Sequence, residues 1–181
     1  MNDVKVYIRR VLIIALVIYV CFLLQTSIFS RIPLAGVTPN ILICAVSTYG
    51  FMKGRKHGIV IGFFTGLLLD VFSGSIFGLY ALIYMYIGLL NGLFKKQLFC
   101  DDLRLPMLLI GASDFIYGVV TCIALFAFRG EYNFVFYLMN IILPEVVYTL
   151  LVSIIVYYII LYLNNWLEKI EKKGSDRIGN Y

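Results

Sequence analysis

Residues 53–70 read KGRKHGIVIGFFTGLLLD, a cluster of cations followed by an apolar run in which Gly58, Gly62 and Gly66 recur at every fourth position before Asp70. Four residues is close to one helical turn, so the three glycines and the aspartate lie on one slowly drifting helical face. The remaining positions are almost all Ile, Val, Phe and Leu. Such a helix belongs in lipid, where association lacks a hydrophobic drive and small residues let neighbouring backbones approach closely. Its first turn, Lys53-Gly54-Arg55-Lys56-His57, reads as a basic loop at one membrane face.

Outward from this segment the chain divides into six apolar stretches, at roughly 11–29, 38–52, 57–72, 77–94, 105–128 and 144–163. Of the 15 Lys and Arg, 13 fall on alternate connections; only Arg31 and Arg129 fall on the others. Short loops rich in Lys and Arg stay cytoplasmic. The expected fold is therefore an all-α integral membrane protein, a six-transmembrane-helix bundle with both termini cytoplasmic. Five spans would expose the basic C-terminal tail, so six is preferred. Residues 1–167 form one membrane domain and 168–181 a charged cytoplasmic tail.

Composition agrees with this class. Hydrophobic residues make up 62% and charged residues 14% of the 181, far more apolar than a soluble domain of ordinary composition. The net charge of +5 reflects the cytoplasmic loops and suits anionic inner-leaflet lipid rather than nucleic acid. The first apolar run lacks a small-residue cleavage site and reads as a retained span. Cys21, Cys44, Cys100 and Cys122 form no CxxC pair, and His57 is the only histidine, so neither a disulfide framework nor a metal site is supported. No phosphate-binding loop, dinucleotide fingerprint or nucleophile elbow occurs. No catalytic residue or cofactor is implied, and the chain is expected not to be an enzyme.

A span across about 30 Å of hydrocarbon needs roughly 20 helical residues. The first, fifth and sixth stretches reach that length; the second and third fall short. Thr38-Pro39 is expected to open the second helix, with a capping hydroxyl and a proline at the first helical position. Gly88 and Gly92 repeat the glycine spacing in the fourth helix. Internal helix packing is the expected role of these glycines, with partner docking as the alternative. Asp70, at the C-terminal end of its helix, needs donors, and the Ser73-Gly74-Ser75 turn and the first N–H groups of the fourth helix are the nearest supply. It is read as a clamp joining the third and fourth helices, with an extracytoplasmic contact as the alternative.

Asp114 falls about nine residues, or roughly 13 Å, into the fifth span. No Lys or Arg lies within the spans to pair with it. An intramembrane acid points to a proton relay, a substrate contact or a subunit contact; the plainer alternative is a neutral acid bonded to a Tyr hydroxyl or a backbone carbonyl. Pro144-Glu145 is read as the start of the sixth helix, with 134–143 lying along the outer interface. If the helix instead begins near Phe134, Pro144 is a kink and Glu145 is intramembrane. Tyr157, Tyr158, Tyr162 and Trp166 are read as an interfacial aromatic belt.

The ordered set Gly58, Gly62-Phe63, Gly66-Leu67-Leu68, Asp70, Ser73-Gly74-Ser75, Gly78 and Ala81-Leu82, continued by Tyr84, Gly88 and Gly92, resembles the core signature of the MreD family of rod shape-determining membrane proteins. Pro39-Asn40 and Pro144-Glu145 with Tyr148 also fit that family's pattern. The resemblance implies a non-enzymatic scaffold of the bacterial cell-wall elongation complex in the cytoplasmic membrane. Its expected partner is a single-span MreC-like protein. Indirect partners are the MreB filament, the RodA glycosyltransferase and a class B penicillin-binding transpeptidase. By this resemblance Gly58, Gly62, Gly66, Asp70, Gly74, Gly78, Gly88 and Gly92 are the packing or contact candidates. Asp114 and Glu145 are the intramembrane polar candidates. The implied fold is reminiscent of energy-coupling-factor substrate-binding subunits, which makes a vitamin-binding subunit of such a transporter the alternative. A small proton-coupled transporter using Asp114 is the third class.

Overall fold

The structure, a computed structural model, describes residues 2–34, 36–73, 77–97, 103–129 and 134–176, with side chains at 8–34, 36–72, 77–95, 103–124 and 135–167. Among the described residues there are six helices, and the only extended pairing is a single bridge between Leu34 and Val37. Helix α1 is Asn2–Leu23, carried on by a π turn at Leu24–Ile28 and a 3-10 turn at Phe29–Arg31. Then follow α2 (Ile41–Lys53), α3 (Arg55–Ser73), α4 (Leu79–Leu93) and α5 (Arg104–Arg129). The last helix, α6, starts as Phe134–Tyr137, widens through a π turn at Leu138–Ile142 and continues as Leu143–Asp176.

Helix α2 is the centre of the bundle. Every residue from Ile41 to Met52 is buried, and α1, α3, α4, α5 and α6 all pack against it. Its 13 residues span about 20 Å at helical rise, too little to cross the hydrocarbon. Enclosure by other helices removes the difficulty, because irregular backbone at its ends meets protein rather than lipid. The core joins Ile41, Leu42, Ile43 and Val46 of α2 to Ile14, Ile18 and Phe22 of α1, Ile83 and Ile87 of α4, and Ile160 of α6. Among the described residues three segments are long and apolar enough to cross a membrane: Ile8–Arg31, Arg104–Ala124 and Val135–Leu167.

Two helix starts differ from expectation. The cap of α2 is Asn40, whose Oδ1 accepts from the Ile43 N–H at 3.4 Å; Thr38 and Pro39 precede the helix. In α6 the helix begins at Phe134, ten positions before Pro144. Proline has no N–H to give the carbonyl four residues back, and its ring crowds that carbonyl. The π turn just before it loosens the ladder there, so the helix passes through Pro144 instead of starting at it. Glu145 thus lies inside a continuous helix. Tyr157, expected in an interfacial belt, is buried in the core, whereas Tyr158, Tyr162 and Trp166 are exposed.

Candidate functional site in the buried centre of the bundle

The glycine face of α3 is filled by α4. A Cβ on Gly58 would overlap the Gly88 carbonyl, one on Gly62 the Tyr84 carbonyl, and one on Gly66 the Tyr80 carbonyl. Gly88 in turn lies against the Gly58 carbonyl, and a Cβ on Gly92 would stand 2.6 Å from the Arg55 Cα. The obstacles are backbone atoms, which cannot rotate away. Gly50 of α2 joins the same contact, 2.8 Å from the Gly88 oxygen by the same measure. Three helices therefore meet at Gly50, Gly58 and Gly88. Gly50 was not singled out in the sequence, because α2 carries no glycine repeat.

Asp70 closes the far end of this seam. Its Oδ1 accepts from the Tyr80 N–H at 3.0 Å and its Oδ2 from the Ala81 N–H at 2.9 Å. These are two of the free donors in the first turn of α4, and the carboxyl group is 5% exposed. Gly78 is the residue before α4, with φ +95° and open space where a Cβ would go. Its backbone angle, not crowding, calls for glycine there. Gly74 lies outside the described residues.

The polar centre is assembled from five helices. At the start of α2 the Asn40 N–H donates to Thr149 Oγ1 at 3.0 Å, and the Leu42 N–H to Gln25 Oε1 at 3.0 Å. Gln25 can reach because it stands in the π turn that ends α1. The Tyr84 hydroxyl donates to Asn40 Oδ1 at 2.9 Å, and Tyr117 meets Tyr84 edge-on with centroids 5.7 Å apart. Cys44 Sγ donates to the Asn40 carbonyl at 3.4 Å. The donors of this buried helix end are thus met by side chains from α1 and α6.

Asp114 of α5 enters this centre, 1% exposed. Thr149 is its hydrogen-bonding neighbour, but at a geometry too loose to count as a bond for either carboxyl oxygen. Glu145, half-buried one turn before Thr149 on α6, is close enough to Asp114 for the two carboxyl groups to interact. Both also lie within electrostatic reach of Tyr84 and Tyr117. The structure brings together Asp114 and Glu145, which sequence reasoning treated separately. It adds Asn40 and Tyr84, noted in the sequence only as part of the family pattern, and Tyr117 and Thr149, which carry no sequence signal for such a role. A second polar contact lies between α4 and α5, where Asn91 Nδ2 donates to Ser113 Oγ at 2.8 Å.

The other end of α2 is basic. Lys95 Nζ donates to the Lys53 carbonyl at 3.1 Å, a cation against the negative end of a helix. Lys53, Lys95 and Arg10 all act electrostatically on His57, so α1, the turn between α2 and α3, and the end of α4 converge on one positive patch. Among the described residues no group of three or more His, Cys, Asp or Glu is placed to hold a metal ion.

An all-helical bundle with three segments of membrane-spanning length among the described residues, an internal glycine seam and a buried polar centre is the architecture of a membrane protein. The family described as rod shape-determining protein MreD matches residues 6–166, and the chain belongs to that family. Comparison with curated proteins and with solved structures gave no match.

Proposed function

We propose that this protein is a non-enzymatic scaffold of the cell-wall elongation complex, holding the single transmembrane helix of an MreC-like partner and positioning the peptidoglycan synthases beside it. The observation that carries this reading is the family match over residues 6–166, which takes in nearly the whole helical bundle. In this reading all six helices are embedded in the cytoplasmic membrane. Both termini and the basic patch of Arg10, Lys53 and Lys95 face the cytoplasm and its anionic lipid. The α3–α4 seam acts as a rigid wall. Because α4 occupies the glycine face, a partner helix would meet the bundle elsewhere, against side chains such as Val60 and Phe64 on the opposite side of α3, which are 53% and 62% exposed.

Gentle extraction of the tagged protein from its native membrane, with co-purifying proteins identified by mass spectrometry, tests the proposal. Recovery of MreC, RodA or the transpeptidase is the expected result. Recovery of a coupling subunit with paired ATPases would overturn it in favour of a vitamin transporter, a reading that the comparisons do not support.

A further inference from the structure

We propose that the Asp114–Glu145 pair is a proton-binding site enclosed by α2, α4, α5 and α6, its ligand a proton taken from and returned to water. The proposal concerns the inside of the bundle and does not depend on the scaffold role. Three observations carry it.

The first is the state of Asp114. Both its carboxyl oxygens are buried, and neither has a hydrogen-bond partner. A carboxylate enclosed in this way, with no donor in bonding geometry, is normally neutralised rather than kept charged.

The second is that the four helices enclosing the pair place no cation beside it among the described residues; Arg31, in the turn packed against Tyr148 of α6, is exposed. In α2 the only cation is Lys53, its last residue, and in α5 Arg104 and Arg129 stand at the two ends. Helix α4 carries no charged residue, and α6 carries no Lys, Arg or His from Phe134 to Leu167. The titratable groups in electrostatic reach of the pair are Cys44 of α2, Tyr84 of α4 and Tyr117 of α5. All are neutral when protonated, so none supplies positive charge.

The third is how the surrounding hydroxyl protons are used. Thr149 Oγ1 accepts the Asn40 N–H, which leaves its own proton to face Asp114. The Tyr84 hydroxyl proton is already given to Asn40 Oδ1. A proton on Asp114 turns one carboxyl oxygen into a donor and leaves the other to accept from Thr149. When it ionises, the proton passes to water. The carboxylate then has only Thr149 as a facing donor, because the Tyr84 hydroxyl proton is held by Asn40. Thr149 thus links the site to the start of α2.

Infrared spectra of the full-length protein in a detergent free of ester and carboxyl groups, in D2O and recorded across a pH series, test this directly. Exposed Asp and Glu are ionised at neutral pH, so the carbonyl stretch of a protonated acid surviving there belongs to buried groups. The wild type is expected to keep such a band at neutral pH. Asp114→Asn is expected to remove most of it, and Glu145→Gln to shift or diminish the remainder. Thr149→Val, which removes the facing hydroxyl, should move the band frequency without abolishing it. No acid band in the wild type at neutral pH would overturn the proposal. So would a band unchanged in both carboxyl variants, or one that appears only when sodium and potassium are withdrawn, which would assign the site to a monovalent cation. If Asp114→Asn does not fold, the wild-type titration and Glu145→Gln still decide.

Discussion

At Gly62 the effect of one added methyl group is decided by a carbonyl oxygen of another helix. Substitution to Ala places a Cβ against the Tyr84 carbonyl, and relief requires α3 and α4 to separate. Overpacking of this kind costs about 1–3 kcal/mol, so Gly62→Ala should lower the thermal midpoint in detergent, and Gly62→Leu should lower it further. Phe64→Leu, on the exposed side of the same helix, serves as the control and should change it little. Equal midpoints for Gly62→Leu and the wild type would remove the basis for a tight seam. Asp70 is governed by its two N–H donors. Asp70→Ala leaves both without an acceptor and should cost about 0.5–2 kcal/mol, as loss of a helix cap does. Asp70→Asn keeps one acceptor oxygen and should fall between.

Among the elements, α2 depends most on its neighbours. Its first turn is held by Asn40, Gln25 and Thr149, the last two from other helices. Thr149→Val should leave the buried Asn40 N–H unsatisfied, at about 1–3 kcal/mol. Asn40→Ala deprives both the Ile43 N–H and the Tyr84 hydroxyl of their acceptor. Because the two residues share one network, the double variant should lose less than the sum of the single effects. Hydrogen exchange in a peptide covering the start of α2 would show this as faster exchange confined to that turn; uniform exchange would count against it. In α6, Pro144 stands beyond the π turn at Leu138–Ile142, where the Leu143 N–H reaches back to the Leu138 carbonyl. Pro144→Ala restores the missing donor and should let this turn relax to ordinary α geometry. Residues 134–137 would then rotate relative to α5, a change that cysteine crosslinking between the two helices can read.

For the molecule as a whole, the distribution of charge makes an orientation prediction. With Cys100 replaced, a cysteine placed at exposed Ser30 should react with an impermeant reagent added to intact cells. One at exposed Lys56 should react only after the membrane is opened. The reverse pattern would invert the bundle. Much of the architecture could be read before the structure: helix class, the long first, fifth and sixth segments, the glycine register of α3, and donors for Asp70 in the first turn of α4. Each is written locally, in hydropathy, in a four-residue repeat or in the needs of a helix end. The polar centre could not be read in this way. Asn40 and Thr149 are 109 positions apart, and Asn40 and Tyr84 are 44 apart; neither pair leaves a periodic trace.

Lipid solubility and the preference of helices for close glycine contacts act on each segment separately, so the sequence by itself determined a membrane bundle and the seam-forming face of α3. Tertiary structure alone decided that α2 would be enclosed, that Pro144 would lie within a helix, and that Asp114 and Glu145 would share one interior. Those outcomes depend on which helices stand side by side. That choice belongs to the packing of all six together.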